Sequence, residues 1–302
     1  MSCPKISVMV PAYRPNEAYL RETLESVLQQ DAVEEMQIEV VDDCSPEVDV
    51  AGMVRAIAGD RVGISRTAKN SGLAGCWNEC IARARGEWVH ILHQDDFVLP
   101  EFYGTLTEAA QVHPEVNLLA TRSFYVTPEG VIQDVTPRVK NLEQGSRVVD
   151  DFFYATPIQC PGIMVKASFY KSHGGFRTDL PYTLDSEMWT RVIGTAGGFL
   201  SSKVLSCYRI SGENQTARLA RTADNLHDLE RLHQIFARLY PTFDPDRGRK
   251  HISSMALREA ERFASIGLPD VAKAQLDYWK RNAPLSHRVS HGIRGLARRF
   301  SK

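Results

Sequence analysis

The chain has 302 residues and lacks any run of about 18 apolar ones, the length a bilayer-spanning helix needs. A membrane-spanning protein is therefore not expected. Global charge is also missing: the formal total is −1, so no overall field points to nucleic acid. The start, MSCPKISVMVPAY, has one lysine and a short apolar run cut by Pro11, without the longer apolar segment of a secretory leader. Six cysteines, at 3, 44, 76, 80, 160 and 207, form no CxxC pair. Zinc spacing and a disulfide framework are thus not indicated, and a reducing, cytoplasmic setting is expected. No GxGxxG follows the first apolar run, which disfavours hydride transfer to a dinucleotide.

The residues that are present alternate between two periods. Ile6–Val10, Ile38–Val41, Arg61–Ile64 and Trp88–Leu92 are short apolar runs. Between them, Leu20, Leu24, Val27 and Leu28 recur at helical spacing, and a further helix is predicted from the Asn70–Gly75 loop through Ala84. Strands of this kind, separated by helices, predict a parallel sheet covered on both faces. After Val116 the pattern changes to longer strands, 116–126 and 131–135, about a Pro128–Gly130 turn. Leu184–Ile193 reads as a helix, and from about Thr222 the chain reads as wholly helical. The final stretch, Lys280–Lys302, carries seven basic residues and no acid, which suits either an anionic membrane face or a solvated terminus.

Chemistry concentrates where apolar runs end in carboxylates. Val40-Val41 leads into Asp42-Asp43, and Ile91-Leu92 leads through His93 and Gln94 into Asp95-Asp96. Ligands of open α/β sheets sit at the carboxyl edge of the strands. Taken alone, each doublet suits a solvated turn as well as a site for a hard divalent cation.

In their order and spacing, VPAYRPNEAYLRETLESVLQQ, VVDDCSP, NSGLAGCWNECIARARGEWVHILHQDD, GGF and LDSEMWTR resemble family 2 of the glycosyltransferases, over roughly Ile6 to Thr216. The resemblance implies an α/β fold of GT-A type, with a mainly parallel central sheet flanked by helices, as a catalytic domain over 1–220. Residues 221–302 then form a helical C-terminal region with a basic tail. It implies that Pro11, Ala12, Tyr13, Asp43, Asn70, Gly72, Asn78 and Asp95 bind the donor, with Asp43 facing the base or ribose. Asp95-Asp96 stands in the place of an acid-any-acid-acid motif whose first acid is here His93. Asp96 is then the direct ligand of Mn²⁺ or Mg²⁺, and His93 either a second ligand or a packed ring. Asp185, opening D-x-E-x-W, is implied as the general base, with Glu187 second; a helix N-terminus there would favour its charged form and lower its basicity. Arg191 and Arg209 are read as diphosphate contacts or ordinary paired arginines. Pro161–Met164 and Gly174–Phe176 are read as the acceptor side. Ser211 stands where the family often has histidine, and Gln215–Arg218 resembles part of a polysaccharide-synthase motif without its tryptophan.

The implied activity is inverting transfer of one sugar from a UDP- or dTDP-type nucleotide-diphosphate sugar to a saccharide or lipid-linked acceptor hydroxyl. The setting would be surface polysaccharide or glycolipid synthesis, in the cytoplasm or peripherally at the inner membrane face. A sugar nucleotidyltransferase would carry a basic Gly-rich loop after the first strand, where only Arg14 stands. A non-catalytic nucleotide-sugar-binding module has no need of Asp43, Asp95, Asp96 and Asp185 together.

Overall fold

The computed structural model describes residues 5–31, 33–138, 142, 146–210, 215–285 and 287–289. It divides into two compact units, Met1–Phe152 with Thr156–Ser211, and Phe153–Ala155 with Gly212–Lys302. The tail beyond 289, Ser211, and the side chains of Gln215, Thr216 and Ala217 lie outside the described residues.

In the first unit, β1 (Ile6–Ala12) is buried along its whole length. It leads to α1 (Glu17–Leu28), whose N-cap Asn16 accepts from the Ala18 and Tyr19 N–H groups and which turns Leu20, Leu24 and Val27 inward. β2 (Met36–Asp42), α2 (Val50–Ala58), β3 (Gly63–Arg66), α3 (Gly72–Arg83) and β4 (Trp88–Ile91) follow. Strands β3, β2, β1 and β4 lie side by side and all parallel, as their apolar runs predict.

The second half of the sheet is mixed. It uses β5 (Phe97–Val98), β6 (Leu118–Val126), β7 (Ile132–Val135), β8 (Ile163–Lys166) and β9 (Gly198–Arg209). Helices α4 (Phe102–Val112), α5 (Ser146–Tyr154), α6 (Ala167–His173) and α7 (Leu184–Ala196) punctuate these strands. The order runs β3-β2-β1-β4-β8-β6-β9-β5, with β7 on β6. The expected strands about the Pro128–Gly130 turn form the antiparallel β6–β7 pair, with Gly130 at φ 83°. Parallel pairing of β9 with β6 and antiparallel pairing with β5 carry Arg209 back to the carboxyl end of β4. Gly162 permits the tight approach of β8 to its neighbours: a Cβ there would lie 2.8 Å from the Thr121 carbonyl oxygen.

The second unit contains α8 (Gln215–Arg221), α9 (Asp224–Leu239), α10 (Pro245–Ser265) and α11 (Pro269–Asn282). The sequence-based boundary at 220 thus falls within α8, and the compact units divide at 211/212. Leu226, Leu229, Leu232, Ile235 and Phe236 are all buried, the stripe their spacing predicts. No helix among the described residues is long and apolar enough to cross a membrane.

Candidate active site

Pro11 and Ala12 remain inside the sheet, buried and in register with Val41 and Asp42. The first residue to leave it is Tyr13, which is 39% exposed. The following residue, Arg14, takes the left-handed conformation (φ 46°), and its N–H donates to Ser45 Oγ at 2.8 Å. Of the expected PAY grip, Tyr13 alone offers an accessible side chain.

At the end of β2 both aspartates are engaged. Asp42 accepts from the Ser45 N–H at 2.9 Å and from Arg66 at 2.6 Å. Asp43, also buried, accepts from the N–H and hydroxyl of Ser71, the N–H of Gly72 and the Thr67 hydroxyl. Its carboxylate therefore sits at the start of α3, where unpaired N–H groups and the helix dipole favour a negative charge. A nucleotide contact by Asp43 has to share these oxygens. Asn70 accepts from the Gly72 N–H at 3.0 Å, and Gly72 holds φ 72°, so both shape this turn. Asn78, expected at the donor, is engaged with the protein backbone. Its amide accepts from the Phe176 N–H at 2.7 Å and donates to the Phe176 carbonyl at 2.9 Å, tying α3 to the Gly174–Phe176 turn.

The loop after β4 gathers the acids. Asp96 is buried; its Oδ1 accepts from the Arg209 N–H at 2.8 Å, and its Oδ2 lies 3.2 Å from His93 Nδ1. Burial alone would lower the His93 pKa, but the adjoining Asp96 carboxylate holds it well above the ordinary imidazole range. The His93 ring also stacks on Trp77, with centroids 4.9 Å apart. Asp95 is pushed up to about 6, by burial and then by the charge of Asp96. Beyond the His93 ring, Asp96 Oδ2 has no hydrogen-bond partner among the described residues, and buried His93 Nε2 has none. One ligand atom each from His93, Asp95 and Asp96 falls within 4.8 Å of the others. Two adjacent carboxylates, one with a buried oxygen that no N–H of the backbone fills, fit a hard divalent cation.

Beneath this loop, Arg209 is almost wholly enclosed and spends its guanidinium on protein groups. It donates to the Asp95, Thr127 and Pro128 carbonyls, pairs with Glu22, and lies over the Tyr19 ring at 4.4 Å. Arg191 is likewise committed, forked onto Glu187 and donating to the His173 and Gly175 carbonyls. Neither arginine is poised for a diphosphate, and Glu187 is an anchor for the glycine turn rather than a free base. Removing the Arg209 guanidinium would orphan several carbonyls, so Arg209→Ala should cost roughly 3 kcal/mol in denaturant unfolding. An unfolding midpoint equal to the parent's would refute this structural assignment.

Asp185 lies in the first turn of α7, its Oδ1 accepting from the Ser186 N–H at 2.7 Å. The expected lowering of its basicity is corrected. Burial outweighs the helix N–H groups and the nearby His93 charge, and its pKa is raised. The Tyr208 hydroxyl is raised first by burial and then by charges that include Asp96, Asp95 and Asp185. All three carboxylates thus bear on a single phenol. Trp189 is core, edge-on to Phe176, which is edge-on to Trp77. This aromatic chain links α7, the glycine turn and α3. Of the expected acceptor-side residues, Pro161 to Met164 are buried. Pro161 is held by His90, a neutral ring whose pKa burial lowers to about 3; its Nε2 lies 3.1 Å from the Pro161 carbonyl oxygen.

A sheet that is parallel from β3 to β4 and mixed beyond, with carboxylates at the end of β4, defines the GT-A class of fold. Residues 7–167 match the family model described as Glycosyl transferase family 2, and the chain belongs to that family. The uncharacterized protein MT1568 of Mycobacterium tuberculosis is 27% identical over 243 residues, 76% of this chain and 74% of that protein. TarS of Staphylococcus aureus, a poly(ribitol-phosphate) beta-N-acetylglucosaminyltransferase, is 30% identical over 153 residues, but the match spans only 26% of its length. The crystal structure of TarS 1–349 with UDP-GlcNAc aligns at TM-score 0.63 and 17% identity, covering 94% of this chain and 77% of that one. The mannosyltransferase PcManGT of Pyrobaculum calidifontis, with GDP-Man and Mn²⁺, aligns at 0.58 and 18%, covering 98% and 81%.

Proposed function

We propose that this protein transfers a single sugar from a nucleotide-diphosphate sugar to an acceptor hydroxyl, with inversion, in the synthesis of a surface polysaccharide or glycolipid. The observation that carries the reading is the cluster of His93, Asp95 and Asp96 in the loop after β4, with ligand atoms within 4.8 Å of one another. The TarS likeness favours a polymeric, hydroxyl-bearing acceptor and a UDP-type donor. In this reading Tyr13, the Asn70–Gly72 turn and Asp43 receive the nucleoside, and Asp95 the ribose.

Asp96 would hold Mn²⁺ or Mg²⁺ directly, with Asp95 beside it. Once bound, the cation neutralises charge developing on the leaving diphosphate. Asp185, half-buried and raised in pKa, accepts the proton of the acceptor hydroxyl as the hydroxyl oxygen attacks the anomeric carbon and the nucleoside diphosphate leaves.

The test is a panel of UDP-, dTDP- and GDP-sugars, each with Mn²⁺, Mg²⁺ or chelator. Thermal shift and slow release of nucleoside diphosphate are the readouts. One donor is expected to raise the melting temperature and to be hydrolysed only when a cation is present. A protein that neither melts higher nor releases nucleotide with any donor is not this enzyme.

A further inference from the structure

β1 and β4 pair as parallel strands up to Met9 and Ile91, and the Leu92 N–H then donates to the Met9 carbonyl at 3.0 Å. Beyond that point the two backbones separate, β4 turning toward Asp95-Asp96 and β1 toward Tyr13. One side chain spans the gap. Gln94 Oε1 accepts from the Tyr13 N–H at 2.8 Å, and Gln94 Nε2 donates to the Tyr13 carbonyl at 3.2 Å. A carboxamide offers one acceptor and one donor, the same pair a peptide unit offers. Gln94 therefore extends the sheet ladder by one rung where no backbone is available to do so. The other side of the Tyr13–Arg14 bend is held by Ser45, and the Arg14 guanidinium lies 5.7 Å from the Tyr13 ring centroid. In the acid-any-acid-acid pattern this position is the open one, and a shorter side chain there would not reach Tyr13.

We propose that Gln94 is a positioning residue that sets the spacing between the Tyr13 platform and the Asp95-Asp96 loop, and so governs recognition of the nucleoside half of the donor. The inference rests on the donor-site reading above, in which Tyr13 meets the nucleoside, Asp95 the ribose, and the cation held through Asp96 the diphosphate. The bridge touches only the first of these halves. Losing it should therefore weaken nucleotides and spare a ligand that has no base.

The experiment uses the full chain and Gln94→Met, which keeps the side-chain length and loses both hydrogen bonds. UDP, GDP and inorganic pyrophosphate are titrated calorimetrically in Mn²⁺, and steady-state turnover is measured with the donor found above. For the nucleoside diphosphate the parent binds best, affinity should fall about tenfold, the equivalent of two modest hydrogen bonds. Pyrophosphate affinity and kcat should change less than about twofold, with the loss appearing in donor KM. Equal nucleotide affinity in parent and variant overturns the inference, as does an equal loss for pyrophosphate, which would mean a general collapse of the carboxylate loop. If the parent binds no nucleoside diphosphate, the donor-site reading itself fails and the inference with it.

Discussion

Replacing Asp185 by asparagine should lower kcat by about 10²- to 10⁴-fold, the usual span for a lost general base, while the protein still folds. Its Oδ1 accepts from the Ser186 N–H, and an amide oxygen can accept that equally well. The pH profile follows from the raised pKa. Burial favours the neutral acid, so the acidic limb of kcat/KM should lie above the range of an exposed aspartate, and activity should rise with pH through it. Stability runs in the opposite sense. A carboxyl whose pKa is higher folded than unfolded stabilises the fold fully only below its unfolded value, about 3.9, and that contribution is lost as pH rises through the folded value. At neutral pH the ionised group is thus a liability, and Asp185→Asn should melt no lower than the parent. Ordinary turnover in this variant would remove Asp185 from the mechanism; a lower melting temperature would contradict the burial argument.

Asp96→Asn is expected to lower kcat by roughly 10³-fold, a loss of several kcal/mol of transition-state stabilisation. The substitution is conservative in shape. Its carbonyl can still accept from the Arg209 N–H, so the clamp between β9 and the loop persists. What disappears is the charge on the otherwise unpartnered oxygen beside His93. The companion readout is the cation-dependent melting increment, which should vanish in the variant. An Asp96→Asn protein still stabilised by Mn²⁺ to the parent's extent would place the cation elsewhere.

The two periods of the sequence were enough to recover β1, β2, β4, α1, α7 and the helical C-terminal region, because burial on one or both faces leaves a local imprint. The acidic doublets were equally visible, since each terminates an apolar run. What spacing could not convey was partnership. Asn78 finds Phe176 98 residues away, and Gln94 finds Tyr13 at a separation of 81. Neither pairing leaves a trace in local periodicity. Asp43 was legible as a strand-end acid, but its capture by the α3 N-terminus depends on how that helix docks. Asp185 was placed correctly at the opening of a helix, and its basicity was still misjudged. Helix position is a local property, and desolvation is a property of the assembled fold.

The clamp on the Asp95-Asp96 loop has a consequence for how the molecule comes into being. Arg209 secures Asp96 across 113 residues and reaches Glu22 across 187. Contacts of such separation carry the largest loop-closure entropy and form late. A nascent chain can therefore lay down the parallel strands β1 to β4 early, yet the pocket stays unfinished until β9 has been synthesised and threaded between β6 and β5. The stretch that matches the family model, 7–167, ends before both Asp185 and Arg209; expressed on its own it would be a scaffold still waiting for its keystone.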